Sequence, residues 1–357
     1  MTPEQSHSSE QRIIQNPGTP IGIGIIGYGF MGRTHALAYQ DAARDGYPCS
    51  LVSIADRSRA KITSDKNAPG NISDDQRCVN LEGTQVTDDL DELLNNAQVD
   101  IVSVCTQTET HVEIALKALH AGKHVLVEKP IALTASEVQR LADAARETGR
   151  VCLPAMCMRV WPAWAFIRSA IQSATYGPVR SASFQRLGTQ PDWSSVYADH
   201  NRSGGVLHDL HIHDADFIVH CFGMPDAVST AGDGLHLSTQ YHYKNGPAHV
   251  SAEAGWDQQA GMDFEMKCRI NFEHATLDFD FSRDDQLLLV EGETRNQIQC
   301  SSLSGYDQEI RYMLNRARGI ELESEQVLNI DQTVQVAKLL EAEQTSMLNK
   351  QTVLIAP

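Results

Sequence analysis

The stretch Ile21-Gly22-Ile23-Gly24-Ile25-Ile26-Gly27-Tyr28-Gly29-Phe30-Met31-Gly32 decides the fold. Ile21–Ile26 is a short apolar run, the pattern of a strand buried on both faces. Gly27, Gly29 and Gly32 follow with the spacing G-x-G-x-x-G, and Arg33–Ala43 continues as a helix. In a strand–turn–helix of this kind the first glycine permits the tight turn. The second lets the backbone approach a pyrophosphate, and the third lets the helix pack close on the strand. The free N–H groups and the positive dipole end of the helix then face the phosphates. Residues Gly27, Tyr28, Gly29, Phe30, Met31 and Gly32 therefore read as a dinucleotide-binding loop. Leu51–Ala55 reads as the next buried strand, and Asp56 ends it. A carboxylate there can accept hydrogen bonds from the adenosine ribose hydroxyls, which favours NAD. Arg57 and Arg59 follow directly and can pair with a 2′-phosphate, so NADP stays open.

Outward from the loop, strand alternates with helix. Asp88–Asn95 reads as a helix with Asp88 as N-cap. Asp100–Cys105 and His124–Val127 read as strands, and Thr110–Ala121 as an amphipathic helix ended by Gly122. Thr134–Thr148 reads as a helix opened by the capping box Thr134-x-x-Glu137 and closed by Gly149. Residues 64–80 are polar and turn-rich and read as loop. Alternating strand and helix means a parallel sheet, so residues 21–150 are expected to form a Rossmann dinucleotide-binding domain. Beyond residue 150 the pattern changes. Pro162–Ser173 and Val206–Phe222 read as helices. Leu237–Tyr243, His249–Ala254, Asp263–Phe272, Thr276–Phe281 and Gln286–Val290 read as strands, with turn signals such as Asn245-Gly246 between them. That is an antiparallel meander, closed by a helix over roughly residues 331–349. The expectation is an α/β protein with a disordered tail over 1–20 and a second domain over 151–357.

Bulk properties narrow the function. A chain of 357 residues exceeds what one hydrophobic core usually organises. A formal charge of -17 repels phosphate backbones and anionic lipid, so neither nucleic acid nor membrane is an expected partner. No run approaches the roughly 18 apolar residues of a membrane span. The eight cysteines form no C-x-x-C pair and read as reduced thiols. The polar first twenty residues lack the apolar core of a signal peptide, and a cytoplasmic protein is expected.

Two further clusters carry chemistry. Glu128-Lys129-Pro130 sits at the carboxyl end of a strand, where ligands of open α/β sheets bind. Lys129 is expected to point at the cofactor edge, where a cationic nicotinamide lowers its pKa. The second cluster is Ser203-Gly204-Gly205-Val206-Leu207-His208-Asp209-Leu210-His211-Ile212-His213-Asp214-Ala215-Asp216. On a helix Asp209 and His213 are one turn apart and share a face, so the carboxylate can orient the imidazole and raise its pKa. Gly204-Gly205 lets the chain pass close to a ligand. His208 and His211 fall on neighbouring faces, which is not the spacing of a zinc helix, so no metal is expected. His208 and Asp214 fit polar positions on a solvated face.

Four pieces in order carry a resemblance over nearly the whole chain from Ile21. They are Gly27–Gly32; Cys105-Thr106-Gln107-Thr108-Glu109-Thr110-His111 leading to Gly122-Lys123-His124-Val125; Glu128-Lys129-Pro130; and Gly204-Gly205 followed by Asp209 and His213. In these the chain resembles the Gfo/Idh/MocA oxidoreductases, named for glucose–fructose oxidoreductase, inositol dehydrogenase and a rhizopine-catabolism protein. The resemblance implies a Rossmann domain plus a C-terminal α/β domain with a large, open, mostly antiparallel sheet used for contacts in a homodimer or homotetramer. It implies NAD, or NADP, as cofactor and hydride transfer to or from a sugar, inositol or related polyol. Lys129, Asp209 and His213 match the motif residues that handle the proton on the substrate oxygen, with either Lys129 or His213 as the base. Thr106, Thr108, His111, Glu128 and Lys129 join the glycine loop, Asp56 and Arg57 as cofactor contacts. Gln107 stands where the family more often has proline, which alters the loop against the nicotinamide ribose. Some relatives instead cleave glycosides by transient oxidation, elimination and re-reduction. A non-catalytic dinucleotide-binding regulator is the other alternative, and the intact Lys129, Asp209 and His213 argue against it.

Overall fold

The computed structural model describes residues 18–63, 77–192, 196–320 and 327–355. Most of the expected tail (1–17) and of the expected loop (64–76) lies outside the described residues. The first half builds β1 (Ile21–Ile26), α1 (Phe30–Arg44), β2 (Cys49–Ala55), α2 (Arg59–Thr63), β3 (Gln85–Thr87), α3 (Leu90–Leu94), β4 (Ile101–Val104), α4 (Thr108–His120), β5 (His124–Val127), α5 (Ala135–Thr148) and β6 (Cys152–Pro154). The six strands are all parallel, in the order β3-β2-β1-β4-β5-β6. Strand order reverses between β1 and β4, and the crevice outside their carboxyl ends is where such sheets bind ligands. Every residue of β1 is buried, as its unbroken apolar run requires.

Local chemistry sets the helix ends. Asp89, not Asp88, caps α3, its carboxylate accepting the Asp91 N–H at 2.9 Å. At α5 the Thr134 hydroxyl oxygen accepts the Glu137 N–H, but the Glu137 carboxylate returns to that hydroxyl and not to the Thr134 backbone. Gly149 ends this helix at a φ of 63°, a conformation glycine adopts without strain.

The second half builds α6 (Pro162–Ser173), β7 (Val179–Leu187), α7 (His200–Ser203), α8 (Ile212–Phe222), β8 (Ala227–Gly232), β9 (His236–His242), β10 (His249–Gly255), β11 (Glu265–Phe272), β12 (Thr276–Asp280), β13 (Leu287–Glu291), β14 (Thr294–Gln297), α9 (Gly305–Ala317), α10 (Ile330–Asn349) and β15 (Val353–Leu354). Nine strands form one sheet, β14-β13-β12-β11-β7-β10-β9-β8-β15. The expected meander is interrupted. β7, a strand the apolar pattern does not reveal, lies between β11 and β10 and runs parallel to β10. Its inward positions are Ala182, Phe184 and Arg186, and the buried arginine disguises the alternation.

Helices α6 and α8 cover the inner face. Trp164 of α6 meets Phe217 of α8 edge-on at 4.8 Å between ring centroids and Phe279 of β12 at 5.6 Å. The last two long helices return to the first sheet, α9 packing on α1 and α10 on α5. Among the described residues no helix is long and apolar enough to cross a membrane.

Candidate active site

The glycine loop has the form a dinucleotide requires. Gly27 turns at a φ of +88°, and a Cβ there would come within 2.6 Å of the Cys105 carbonyl oxygen. A Cβ on Gly32 would overlap the Gly27 carbonyl oxygen, so helix and strand touch at this point. The middle glycine differs. A Cβ on Gly29 would meet nothing nearer than the Lys61 Nζ, 3.9 Å away. The N-terminus of α1 therefore opens on free space of the kind a pyrophosphate fills, and the residues fit NAD or NADP. Phe30 and Met31 form the half-buried first turn, and Tyr28 is buried. Asp56 ends β2 and is tied to the loop, accepting the Tyr28 N–H at 2.8 Å and the Ser58 N–H at 3.0 Å. Arg57 is exposed, and Arg59 pairs with Asp88 at 3.1 Å.

The second motif braces the cleft. Thr106 lies against Gly27, and the Thr110 hydroxyl donates to the Thr106 Oγ1 at 2.8 Å. Thr108 begins α4. His111, expected as a cofactor contact, is instead buried, with Nδ1 2.9 Å from the Pro130 carbonyl and Nε2 3.0 Å from that of Thr106. The ring is wedged between the two loops, and as a neutral imidazole it donates to one of the two carbonyls. Glu128 also turns away from the cleft. It is buried, and its Oε1 lies 3.0 Å from the Nε2 of His35 on α1.

Lys129 projects from the end of β5 to the second half of the chain. Its Nζ donates to the Asp209 Oδ1 at 3.0 Å and to the Asp209 carbonyl at 2.8 Å. Burial works against its charge, but Asp209, Tyr197 and Glu128 outweigh it and raise the pKa. The lowering expected beside a cationic nicotinamide is therefore opposed by a fixed anion.

The expected continuous helix Val206–Phe222 has a different start. Leu207–His211 forms one π-helical turn before α8. Such a wide turn breaks the 3.6-residue register. Asp209 consequently engages Lys129, while the buried His213 Nδ1 has no hydrogen-bond partner. The His213 pKa is lowered well below its ordinary value by burial and then by the Lys129 and Arg186 cations, opposite to the rise expected from an Asp209 contact.

Arg186, invisible as a site residue while β7 went unread, is held by Asp214 through two hydrogen bonds of 3.1 and 2.9 Å. Asp214 is fully buried and His208 nearly so, which corrects their placement on a solvated face. His208 Nδ1 lies 3.2 Å from the Gly204 carbonyl, and a Cβ on Gly204 would press on the His208 ring. His211 faces away, 2.7 Å from Glu343 and 3.0 Å from the Tyr241 hydroxyl. His208 and His211 thus diverge to different partners. Arg202 on α7 reaches across to α4, donating to Glu109 at 2.6 and 2.9 Å and to Gln107 at 3.3 Å. That contact spans the mouth between the two halves, and an isolated arginine in a loop-like stretch gave no sign of it.

Comparison with known proteins matches both halves. Residues 21–156 match the Gfo/Idh/MocA model described as an oxidoreductase family with an NAD-binding Rossmann fold, and residues 164–283 match the GFO/IDH/MocA C-terminal domain. A levoglucosan dehydrogenase of Pseudarthrobacter phenanthrenivorans is 29% identical over 220 residues, which is 58% of this chain and 53% of that protein. The scyllo-inositol 2-dehydrogenase (NAD(+)) of Bacillus subtilis is 30% identical over 151 residues, 42% of this chain and 43% of that protein. The chain thus spans about half the length of these curated relatives. A solved levoglucosan dehydrogenase in complex with NADH and levoglucosan superposes with a TM-score of 0.78 at 20% identity, over 95% of this chain and all of that one. Two successive models of one family match residues 21–156 and 164–283, together well over half of the chain, so the chain belongs to the Gfo/Idh/MocA oxidoreductases.

Proposed function

We propose that the protein transfers hydride between a secondary alcohol of a sugar, inositol or related polyol and a nicotinamide, with NAD preferred to NADP. One observation carries this reading: Lys129 reaches from the end of β5 to the segment that bears His213, its Nζ 3.0 Å from the Asp209 Oδ1, while the glycine loop at the start of α1 opens on free space. In the oxidative direction the neutral His213 accepts the hydroxyl proton. Lys129 donates a hydrogen bond to the same oxygen and stabilises the negative charge that develops there. The bound cofactor supplies the hydride acceptor. Asp209 fixes the Lys129 ammonium, and the Arg186–Asp214 pair keeps a cation near His213 that opposes its premature protonation. The names of the levoglucosan and inositol dehydrogenases support a cyclic polyhydroxylated substrate. The eight free thiols suit a cytoplasmic setting, and the open face of the nine-stranded sheet suits a homodimer or homotetramer.

An NAD- and NADP-linked screen of sugars, inositols and sugar acids with purified protein identifies the substrate. On it, Lys129→Met and His213→Ala should each lower kcat/KM by roughly 10²-fold or more. NAD affinity should change little, because the glycine loop and Asp56 hold the dinucleotide elsewhere. Full activity in His213→Ala would sink this assignment.

A further inference from the structure

Directly behind Lys129 lies a cluster the proposed chemistry does not use. His35 and Glu309 are fully buried and Glu128 almost so. The His35 Nε2 is 3.0 Å from the Glu128 Oε1 and 3.5 Å from the Glu309 Oε1. Its Nδ1 faces the Cys105 thiol at 3.5 Å, which leaves Nε2 as the atom between the carboxyl groups. Glu128 has a second contact: its Oε2 accepts the Lys129 backbone N–H at 3.1 Å. Neither oxygen of Glu309 makes a hydrogen bond, although both are buried and one is aimed at His35. Burying three ionisable groups at a seam between α1, β5 and α9 is costly unless their arrangement does something.

We infer that His35 and Glu309 are positioning residues for Lys129, seating the Glu128 carboxylate that in turn holds the Lys129 backbone. The inference rests on the reading of Lys129 as the group that meets the substrate oxygen. Two neighbouring carboxyl groups in a core cannot both stand as bare anions, and a protonated imidazole between them resolves the conflict. The shifts agree with this. Burial raises Glu309 to about 7, with His35 pulling the other way. His35 is raised well above its ordinary value, because Cys105, Glu128 and Glu309 outweigh the effect of burial. The groups facing the cluster are Cys105 at the end of β4, Tyr39 on α1, Cys157 before α6, Tyr306 and Asp307 on α9, and the Lys129 and Arg186 cations. Because α9 packs on α1, the seat is complete only when α9 is docked against the first half of the chain.

The test uses the full-length enzyme on its best substrate. Glu309→Gln keeps the volume and removes the exchangeable charge. It should lower kcat about tenfold, the scale of a small displacement of a reacting group. KM and the NAD Kd should stay within about twofold, and the inflection of the kcat profile near pH 7 should be lost. His35→Gln should act in the same direction. In a Lys129→Met background neither should cost anything further. Wild-type kcat and pH profile in a folded Glu309→Gln protein would overturn the inference while leaving the role of Lys129 intact. Full activity in Lys129→Met would overturn the functional reading itself. If Glu309→Gln does not fold, Glu309→Asp, which keeps the acid and shortens its reach, should show the same loss of kcat with the inflection shifted in place of lost, and a wild-type kcat and profile in it would overturn the inference. Elemental analysis of the wild type closes the remaining route: a stoichiometric divalent ion that disappears in the Glu309 variant would make this a metal centre and overturn the proton-based account.

Discussion

Asp56 illustrates how one side chain can set both the shape and the selectivity of a site. Its two oxygens accept the Tyr28 and Ser58 N–H groups, which pins the carboxylate at the end of β2 beside the glycine loop. An anion held there repels a 2′-phosphate, while Arg59, a natural partner for that phosphate, is engaged by Asp88. NAD should therefore bind more tightly than NADP in a fluorescence titration. Asp56→Ala should narrow the difference and weaken both, because the loop loses its tether; equal or tighter NADP binding by the wild type would contradict this. Asp214 poses a different test. It neutralises a fully buried Arg186, so Asp214→Ala strands a cation in the core and should cost about 3–5 kcal/mol in denaturant unfolding. A loss under 1 kcal/mol would mean that water or another acid reaches Arg186. Lys129, Asp209 and His213 stand out as candidates in the sequence because motif and spacing are linear properties. Their pairing is not legible there, since one π-helical turn rotates Asp209 toward Lys129. His111 and Glu128 were misassigned for a related reason: a polar residue at a strand end can face the ligand or the seam behind it, and linear order does not distinguish the two.

At the scale of the element, the strand–turn–helix of β1 and α1 separates binding from folding. Gly29 faces open space, so Gly29→Ala should leave the melting temperature within about 1 °C, a Cβ there meeting only the flexible end of Lys61 at 3.9 Å, an ordinary contact. NAD affinity should fall about tenfold or more, because the methyl group occupies the backbone's approach to the pyrophosphate. Gly32→Ala should do the opposite and destabilise the fold by at least about 1–3 kcal/mol, since its Cβ overlaps the Gly27 carbonyl. Calorimetry and NAD titration on both variants check the pair; equal effects on stability would refute the division. The first sheet was readable because parallel strands buried on both faces are unbroken apolar runs. The second was readable only in part. β7 carries an inward arginine, and α9 shows little in its sequence beyond the reciprocal capping box of Ser304 and Asp307 at its start. An S-x-x-D signature before Ile310, Met313 and Leu314 was the signal available for it.

Among the described residues no helix packs on the outer face of the large sheet, and that face is polar. Gln185 donates to Glu253 at 2.8 Å, Asn271 to Ser181 at 3.0 Å and Arg269 to Asp278 at 2.8 Å, so side chains bridge neighbouring strands across it. A two-fold partner is the simplest cover for such a sheet. Sedimentation at micromolar concentration should show a dimer or tetramer that weakens as salt is raised, and a clean monomer at low salt would contradict this. The interior makes a second prediction for the whole fold. Burial and then Arg150 push His124 down to about 4, and burial followed by Arg159 and Arg168 pushes His220 down to about 2. His111, His208 and His213 are lowered as well, burial being the largest cause in each. A histidine kept neutral in the folded state contributes stability that is fully present above its ordinary value of 6.5 and lost as pH falls toward the folded value. His35, His236 and Glu309 have the opposite sign: their contribution is present below the ordinary values of 6.5 for the histidines and 4.5 for the glutamate and is lost as pH rises through the raised ones. The lowered histidines are the larger group, so acidification from pH 7.5 to 5 should lower Tm, each net proton bound by the unfolded chain costing about 1.4 kcal/mol per pH unit. His220→Gln removes one of those protons and should flatten the slope of stability against pH by close to one proton, whatever it does to Tm at pH 7.5. Scanning calorimetry of both proteins over this range decides it. A wild-type Tm that rises on acidification would mean that the His35, His236 and Glu309 contributions outweigh the rest, and an unchanged slope in the variant would mean that His220 is not held neutral by the fold.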